Sequence, residues 1–214
     1  MRGLLLVFAC LTAHATAHAV PIFVETWSRP GSTAGFESWP SDSFSLSQDD
    51  GSLAWSFSPD LPMGLVQVGA SASGGAFVGN VGGGHASYYA FDFRPSAGTS
   101  VSQLGMYIDS ADGTWYQALS NPISGQWNHY RLPFVSGPND WTLQCGPESL
   151  SETLGHVTNV WLEWGVAGGG GSGQLDNFEV GHTPEPATIV LLVGGFGALV
   201  MRRRASKAAK RTLA

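Results

Sequence analysis

The stretch that decides the fold runs from residue 157 to residue 180, VTNVWLEWGVAGGGGSGQLDNFEV. Its two ends are short runs rich in β-branched and aromatic side chains, which favour β-strands. The glycine-rich segment between them resembles a phosphate-binding loop in composition only. Such a loop is followed by a lysine and by the start of a helix, and this segment is followed by neither. The pattern therefore predicts two strands, 157–164 and 174–180, joined by a hairpin loop.

Short runs of the same kind recur outward from this stretch, separated by Gly, Pro, Asn, Asp and Ser. Asp112-Gly113 is the strongest hairpin signal, and 148–154 is the one segment typical of a helix. The low-complexity stretch 69–84 predicts a long flexible loop or a weak edge hairpin. A dozen short strands predict an all-β fold, a two-sheet β-sandwich of the jelly-roll kind, over residues 20–182. The further predicted strands are 22–27, 43–46, 53–57, 65–68, 76–78, 87–94, 102–108, 114–119, 127–132 and 141–144.

The final strand pattern also carries a family resemblance. Leu175-Asp176-Asn177-Phe178-Glu179-Val180, after Val160-Trp161-Leu162-Glu163-Trp164, resembles the end of galactose-binding-like jelly rolls. Many carbohydrate-binding modules share that fold. The resemblance extends over residues 22–181 in pattern, and it implies a fold and a bias toward glycans without defining a sugar.

The charge composition of residues 20–182 limits the kinds of molecule that this segment can bind. This segment of about 163 residues holds three basic residues, all arginine, against fifteen acidic ones. Such a negative surface repels phosphate backbones and excludes nucleic-acid binding. Cys145 is its single cysteine, so no intramolecular disulfide is possible, and we predict a small buried hydrophobe rather than a nucleophile.

All eight tryptophans of the chain fall within this segment. Tryptophan and tyrosine bind sugars by laying a ring face against the C–H face of a pyranose, although each tryptophan can equally serve the core. Alternation places Trp161 and Trp164 on opposite sheet faces. We predict glycan stacking by Trp115, Tyr116 and Trp141, because the first two flank a turn and Trp141 follows Pro138-Asn139-Asp140.

A calcium ion is implied by the resemblance to jelly rolls. In those proteins a structural Ca²⁺ bridges an acidic residue near the N-terminus and an aspartate on the last strand. Asp176 matches the aspartate, and Glu25 or Glu37 matches the N-terminal residue. The alternative is that Asp176 provides ordinary polarity at a strand end.

Catalytic patterns are absent from the sequence. No feature selects a carboxylate pair for glycoside hydrolysis, His85, His129 and His156 lack metal-ligand spacing, and no Gly-x-Ser-x-Gly elbow is present. The sequence thus predicts a non-catalytic protein that associates with extracellular polysaccharide. A purely structural surface protein and a secreted hydrolase or lyase remain the alternatives.

The N-terminus is typical of a secretory signal peptide, residues 1–19. Arg2 precedes an apolar run, 4–9, and Ala17-His18-Ala19 forms a small-x-small cleavage pattern. We expect export by the Sec machinery and cleavage by signal peptidase after Ala19, with Ala15 as the alternative site. Cys10 leaves a lipoprotein signal open as another interpretation.

The C-terminus, residues 183–214, combines three features in order. Pro184-Glu185-Pro186 leads into an uncharged apolar run, 187–201, that stops at Arg202-Arg203-Arg204. Fifteen helical residues cover roughly 22 Å, short of a hydrocarbon core of about 30 Å, so local thinning must complete the span. The basic residues 202–214 place this end in the cytoplasm. A buried helix followed by a basic tail is the alternative.

These three features resemble the PEP-CTERM sorting signal of Gram-negative bacteria. The resemblance implies that Pro184, Glu185 and Pro186 are recognised by an exosortase, a membrane protease that releases or transfers the exported protein. Prolines keep that strip extended and stop the helix from propagating backward. The implied route is an inner-membrane intermediate that ends at the cell surface or in the matrix, and a permanent, unprocessed anchor is the alternative.

Overall fold

The computed structural model describes residues 20–83, 86–135 and 140–183. These residues form twelve strands and one short α-helix, all connected by turns and loops. The elements are β1 (Val20–Glu25), β2 (Glu37–Trp39), β3 (Phe44–Asp49), β4 (Ser52–Phe57), β5 (Met63–Val68), β6 (Tyr88–Pro95), β7 (Val101–Asp109), β8 (Thr114–Ala118), β9 (Asn128–Pro133), β10 (Thr142–Cys145), α1 (Leu150–Leu154), β11 (Asn159–Val166) and β12 (Gly171–His182).

The strands build two antiparallel sheets. The first sheet has the order β3-β4-β12-β6-β9, and β1 pairs with the second half of β12. The second sheet has the order β10-β8-β7-β11-β5-β2. The sequence prediction of an all-β protein with two sheets is therefore confirmed, and the arrangement is consistent with a jelly-roll β-sandwich.

The core lies between the two sheets and is aromatic. Alternation along β11 turns Val160, Leu162 and Trp164 inward, where each is 0% exposed. Trp164 packs against Trp55 of the first sheet with ring centroids 5.2 Å apart. Residues of both sheets contribute to one continuous cluster, so burial of apolar area across the sandwich holds the sheets together.

The hairpin and the helix predicted within residues 110–154 are both present in the structure. Asp112-Gly113 lies in the turn that joins the antiparallel strands β7 and β8, which confirms the predicted hairpin. The predicted helix is confirmed at Leu150–Leu154, two residues shorter at its start than residues 148–154. Ser149 and Glu152 form a capping box, which fixes where this helix begins.

The stretch 69–83 differs from its prediction. Residues 76–78 form no strand; Gly79 makes a single bridge with Val157, and Ala72–Gly75 form a short 3₁₀ segment. The Phe77 side chain is fully buried, and the Phe77 carbonyl accepts a hydrogen bond of 2.7 Å from the Tyr89 hydroxyl. Burial of Phe77 thus holds in place a segment that its glycines predicted to be a flexible loop. The short strand β2 was not predicted.

Cys145 is also placed differently from its prediction. It is exposed on β10 at the edge of the second sheet. All four residues of β10 are exposed, so neither face of this edge strand is covered by the core. The prediction of a small buried hydrophobe at Cys145 was therefore wrong.

The two terminal segments lie outside the described residues. The predicted signal peptide, 1–19, and the predicted sorting tail, including Pro184, Glu185, Pro186 and Arg202 to Arg204, are among them. In the part of the chain that the structure describes, no helix has the length and apolar character needed to cross a membrane.

Candidate functional site

An open groove of about 380 Å³ lies on the outer face of the second sheet, the face turned away from the core. Strand register explains its make-up, since Trp161 pairs with both Gln67 and Tyr107, and Glu163 pairs with Leu65. These residues alternate with the inward-facing Leu162. The groove is lined by Trp39, Leu65, Tyr107, Asp109, Thr114, Trp161 and Glu163.

Four aromatic side chains on this face, Trp39, Tyr107, Tyr116 and Trp161, define what we term the aromatic groove. The rings of Tyr107 and Tyr116 lie 4.5 Å apart with a tilt of 39°. Tyr116 lies over the backbone of Gly105, where a Cβ atom would overlap its ring. Trp39 is 60% exposed at the other end of the groove. The result is a broad aromatic surface that water still reaches.

Glu163 provides a carboxylate at the floor of the groove. Its side chain lies on β11 near the middle of the sheet and is only 6% exposed. One carboxylate oxygen accepts a hydrogen bond from the Gln103 amide, and the other accepts one from the Tyr107 hydroxyl at 3.3 Å. These neutral donors hold the carboxylate in place without neutralising its charge.

The pKa values of Tyr107 and Tyr116 are raised by burial and by the negative charge of Glu163. Burial, assisted by the negative charge of Glu163, raises the pKa of Tyr107 to about 12. Burial and the same charge also raise the pKa of Tyr116. Both hydroxyls therefore stay protonated at physiological pH, which keeps the Tyr107 hydroxyl as the donor to Glu163.

Asp109 orients the Trp161 ring. Its Oδ2 atom accepts a 2.7 Å hydrogen bond from the Trp161 indole nitrogen. Its Oδ1 atom is buried and has no partner among the described residues. On the neighbouring strand β5, the Gln67 amide, opposite Trp161 in the register, donates to the Asn159 amide oxygen at 2.8 Å. Trp161 is thus held between polar neighbours, with its ring part of the groove wall.

The three residues predicted to stack on glycans are separated by the structure. Tyr116 lies on the outer face and belongs to the aromatic groove, where its ring packs against Tyr107. Trp115 is its neighbour on β8 and therefore points to the opposite face, where it packs against the core. Trp141 is 5% exposed, and its indole donates to the Pro133 carbonyl at 2.9 Å. Trp141 is thus nearly buried, and Trp115 is partly buried against the core.

The three predicted calcium ligands lie on three different strands, β1, β2 and β12. The Glu25 carboxylate accepts hydrogen bonds from the Trp27 backbone at 2.8 Å and the Ser73 hydroxyl at 2.7 Å. Glu37 accepts one from Ser71 and belongs to the other sheet. Asp176 lies beside Asp92 in the strand register. Within the described ranges, no three His, Cys, Asp or Glu side chains form a group suited to a metal ion. The calcium implied by the resemblance, which needs a carboxylate pair and backbone carbonyls, stays a prediction.

Sequence reasoning missed most of the groove. Trp161 was available from alternation, since it lies three residues before the buried Trp164. Glu163 shares its face with Trp161, which is an unusual position for a carboxylate in an apolar strand. Trp39, Tyr107 and Asp109 had no local signal, because their contribution depends on strands that are distant in sequence.

Comparison with known proteins supports the fold. Neither the protein-family models nor the curated proteins contain a match to the chain. Among solved structures, the agarase AgWH50C matches 78% of this chain with a TM-score of 0.57 and 15% identity. The structure of PfGH50B matches 78% with a TM-score of 0.57 and 9% identity. The chain spans only 25% and 24% of those two chains.

A xylan-binding CBM22-1 domain from Paenibacillus barcinonensis Xyn10C matches 80% of this chain and 99% of its own length. Its TM-score is 0.48 at 11% identity, which is too low for an argument from likeness. The fold therefore defines an all-β protein of two antiparallel sheets.

Proposed function

We propose that the domain binds polysaccharide without catalysis, through the aromatic groove. The observation that carries this proposal is the set of ring faces, exposed beside fixed polar groups, on one face of the second sheet. Aromatic faces take the apolar C–H face of a sugar, while nearby donors and acceptors orient its hydroxyls. The tyrosine hydroxyls and the Glu163 carboxylate provide these polar groups.

The shape of the groove suits an extended chain. Its lining residues come from β2, β5, β11, β7 and β8, five neighbouring strands of one sheet. Adjacent strands lie about 4.8 Å apart, so the groove crosses the sheet over roughly 19 Å. That length exceeds a single sugar ring, which favours several consecutive units of a polysaccharide.

The carboxylates of the groove support a binding role. A glycosidase needs one carboxyl group as a proton donor and a second as a base or nucleophile at the scissile bond. Here both oxygens of Glu163 and one oxygen of Asp109 already accept hydrogen bonds from side chains of the same sheet. Such bonds hold these oxygens in fixed positions as hydrogen-bond acceptors.

Replacing Trp161 by alanine should weaken polysaccharide binding about 30-fold, because a central aromatic contact contributes about 2 kcal/mol. The measurement is affinity electrophoresis of the full chain against a panel of soluble polysaccharides. Trp127→Ala is the matched control, since Trp127 is also exposed, at 43%, but lies outside the groove beside Arg94. We expect the control to bind like the parent chain.

Two results would contradict the proposal. One is equal binding by the Trp161→Ala variant and the parent chain to every polysaccharide retained. The other is release of new reducing ends during incubation, which would make the groove that of a hydrolase. Failure to bind any member of a varied panel would favour a purely structural surface protein.

We further propose that the domain is exported and sorted by its terminal segments. The sequence features that support this route are the signal-peptide pattern in residues 1–19 and the ordered features of residues 183–214. The proposed partners are the Sec machinery, signal peptidase and an exosortase-type protease, with the bacterial surface or matrix as the destination.

Processing at both ends should be visible in the mass of the mature protein. In cells that carry the protease, we expect the chain to begin after Ala19 and to lack the basic residues 202–214. Replacing Pro184, Glu185 and Pro186 together by alanine should leave the C-terminal tail attached. An intact tail on the mature parent protein would show that the span is a permanent anchor.

A further inference from the structure

The aromatic groove has carboxylates but no basic side chain. Glu163 and Asp109 are its charged lining residues, and its lining contains no Lys, Arg or His. The arginines of residues 20–182 lie elsewhere. Arg94 stacks on Trp127 and Arg131 on Tyr88, both from the first sheet, and Arg29 lines a different cavity.

The described ion pairs also lie outside the groove. They join His129 to Asp92 and His156 to Glu148, each at 2.8 Å. Glu163 is therefore a nearly buried carboxylate whose partners are the neutral groups of Gln103 and Tyr107. Removing a charge from water is unfavourable unless an opposite charge compensates it.

The aromatic rings favour a positive ligand as well. The face of a tyrosine or tryptophan ring carries negative electrostatic potential and attracts ammonium groups. Burial is the larger cause of the raised pKa values of Tyr107 and Tyr116, and the negative charge of Glu163 adds to it. A ligand that carries ammonium groups along an otherwise sugar-like chain would satisfy both the carboxylates and the rings.

We propose that the preferred ligand is a polysaccharide rich in free amino sugars, whose ammonium groups lie against Glu163 and Asp109. This inference rests on the proposed function, because it names the ligand class of the same groove. Chains of uronic acids or sulfated sugars are disfavoured, since their charges would face these carboxylates.

The test compares a glucosamine oligomer with an N-acetylglucosamine oligomer of the same length. Each is titrated calorimetrically into the full chain at about pH 6, where amines are protonated and carboxylates ionised. We expect the glucosamine oligomer to bind at least about tenfold more tightly at low salt. Added salt should reduce this preference, because it screens the charges.

Glu163→Gln should bring the two affinities close together, since it keeps the shape of the side chain and removes the charge. Asp109→Asn is a second variant in case Glu163→Gln does not fold. Glu179→Gln is the matched control: it removes one charge from the first sheet and should retain the full preference.

The outcomes separate this inference from the proposed function. Equal affinity for the two oligomers, or tighter binding of a polyuronate, would overturn the amino-sugar preference while leaving polysaccharide binding intact. Loss of preference in the Glu179→Gln control would also overturn it, since the effect would then reflect net charge alone. Absence of binding to both oligomers and to all neutral polysaccharides would overturn the proposed function itself.

Discussion

Replacing Trp164 by alanine should lower the free energy of unfolding by about 4 kcal/mol, the largest single effect that we expect in this domain. The Trp164 side chain is 0% exposed at the centre of the core. Its ring packs within 5.3 Å, between centroids, of Phe44, Trp55 and Phe93. Removal would leave a large cavity that two rigid sheets cannot close.

The measurement is urea unfolding followed by far-ultraviolet circular dichroism. Trp161→Ala is the matched control, because it makes the same substitution on the same strand but on the outer face. We expect that control to retain most of its stability while losing polysaccharide binding. A Trp164→Ala variant within about 1 kcal/mol of the parent would show that the core repacks, contrary to the expectation from cavity formation.

Replacing Gly173 by alanine should lower the free energy of unfolding by about 3 kcal/mol, the second largest effect. Gly173 lies on β12 between Trp55 of β4 and Pro95 of β6. A Cβ atom there would lie 2.6 Å from Cε2 of Trp55 and would also overlap the Arg94 carbonyl oxygen. Neither group moves freely, since Trp55 is buried and the carbonyl belongs to a central strand.

The contacts of Trp55 explain why Gly173→Ala should destabilise the aromatic core beyond the site of substitution. Its ring stacks on Phe93 at 5.5 Å and meets Trp164 at 5.2 Å, between centroids. Displacing Trp55 therefore disturbs the same aromatic cluster that Trp164→Ala empties. The two substitutions should be non-additive in the double variant, because neighbours that share partners couple energetically.

The control for Gly173→Ala is Ser172→Ala, the adjacent position on β12. Its side chain is partly exposed and bonds to Ser96, so its loss should change stability by less than about 1 kcal/mol. Urea unfolding of both variants gives the comparison. If Gly173→Ala proved as stable as Ser172→Ala, the close approach of Trp55 to β12 would be wrong.

Most strands were predictable because their signals are local. Alternating and β-branched runs defined β7, β8, β11 and β12 near their observed bounds, and Asp112-Gly113 defined one hairpin. The same reasoning failed at residues 76–78, where burial of Phe77 against neighbouring elements overrode the local pattern. It also failed at β2, whose three residues are too few to show alternation.

The groove was not predictable as a unit. Its residues run from Trp39 to Glu163, and their strands have the order β2, β5, β11, β7 and β8 in the sheet. Alternation shows that Trp115 and Tyr116 point to opposite faces, but it does not say which face meets the core. The packing of Trp115 against the core decided that question.

The sequence by itself determined the class of secondary structure and the side-chain alternation of most strands, along with the acidic character of residues 20–182. These properties depend on neighbours along the chain, and the period of two in a β-strand makes them visible. Tertiary structure alone decided which strands became neighbours and which face of each became the exterior. Those choices depend on burial of aromatic area between two sheets, and that burial joins residues far apart in the chain.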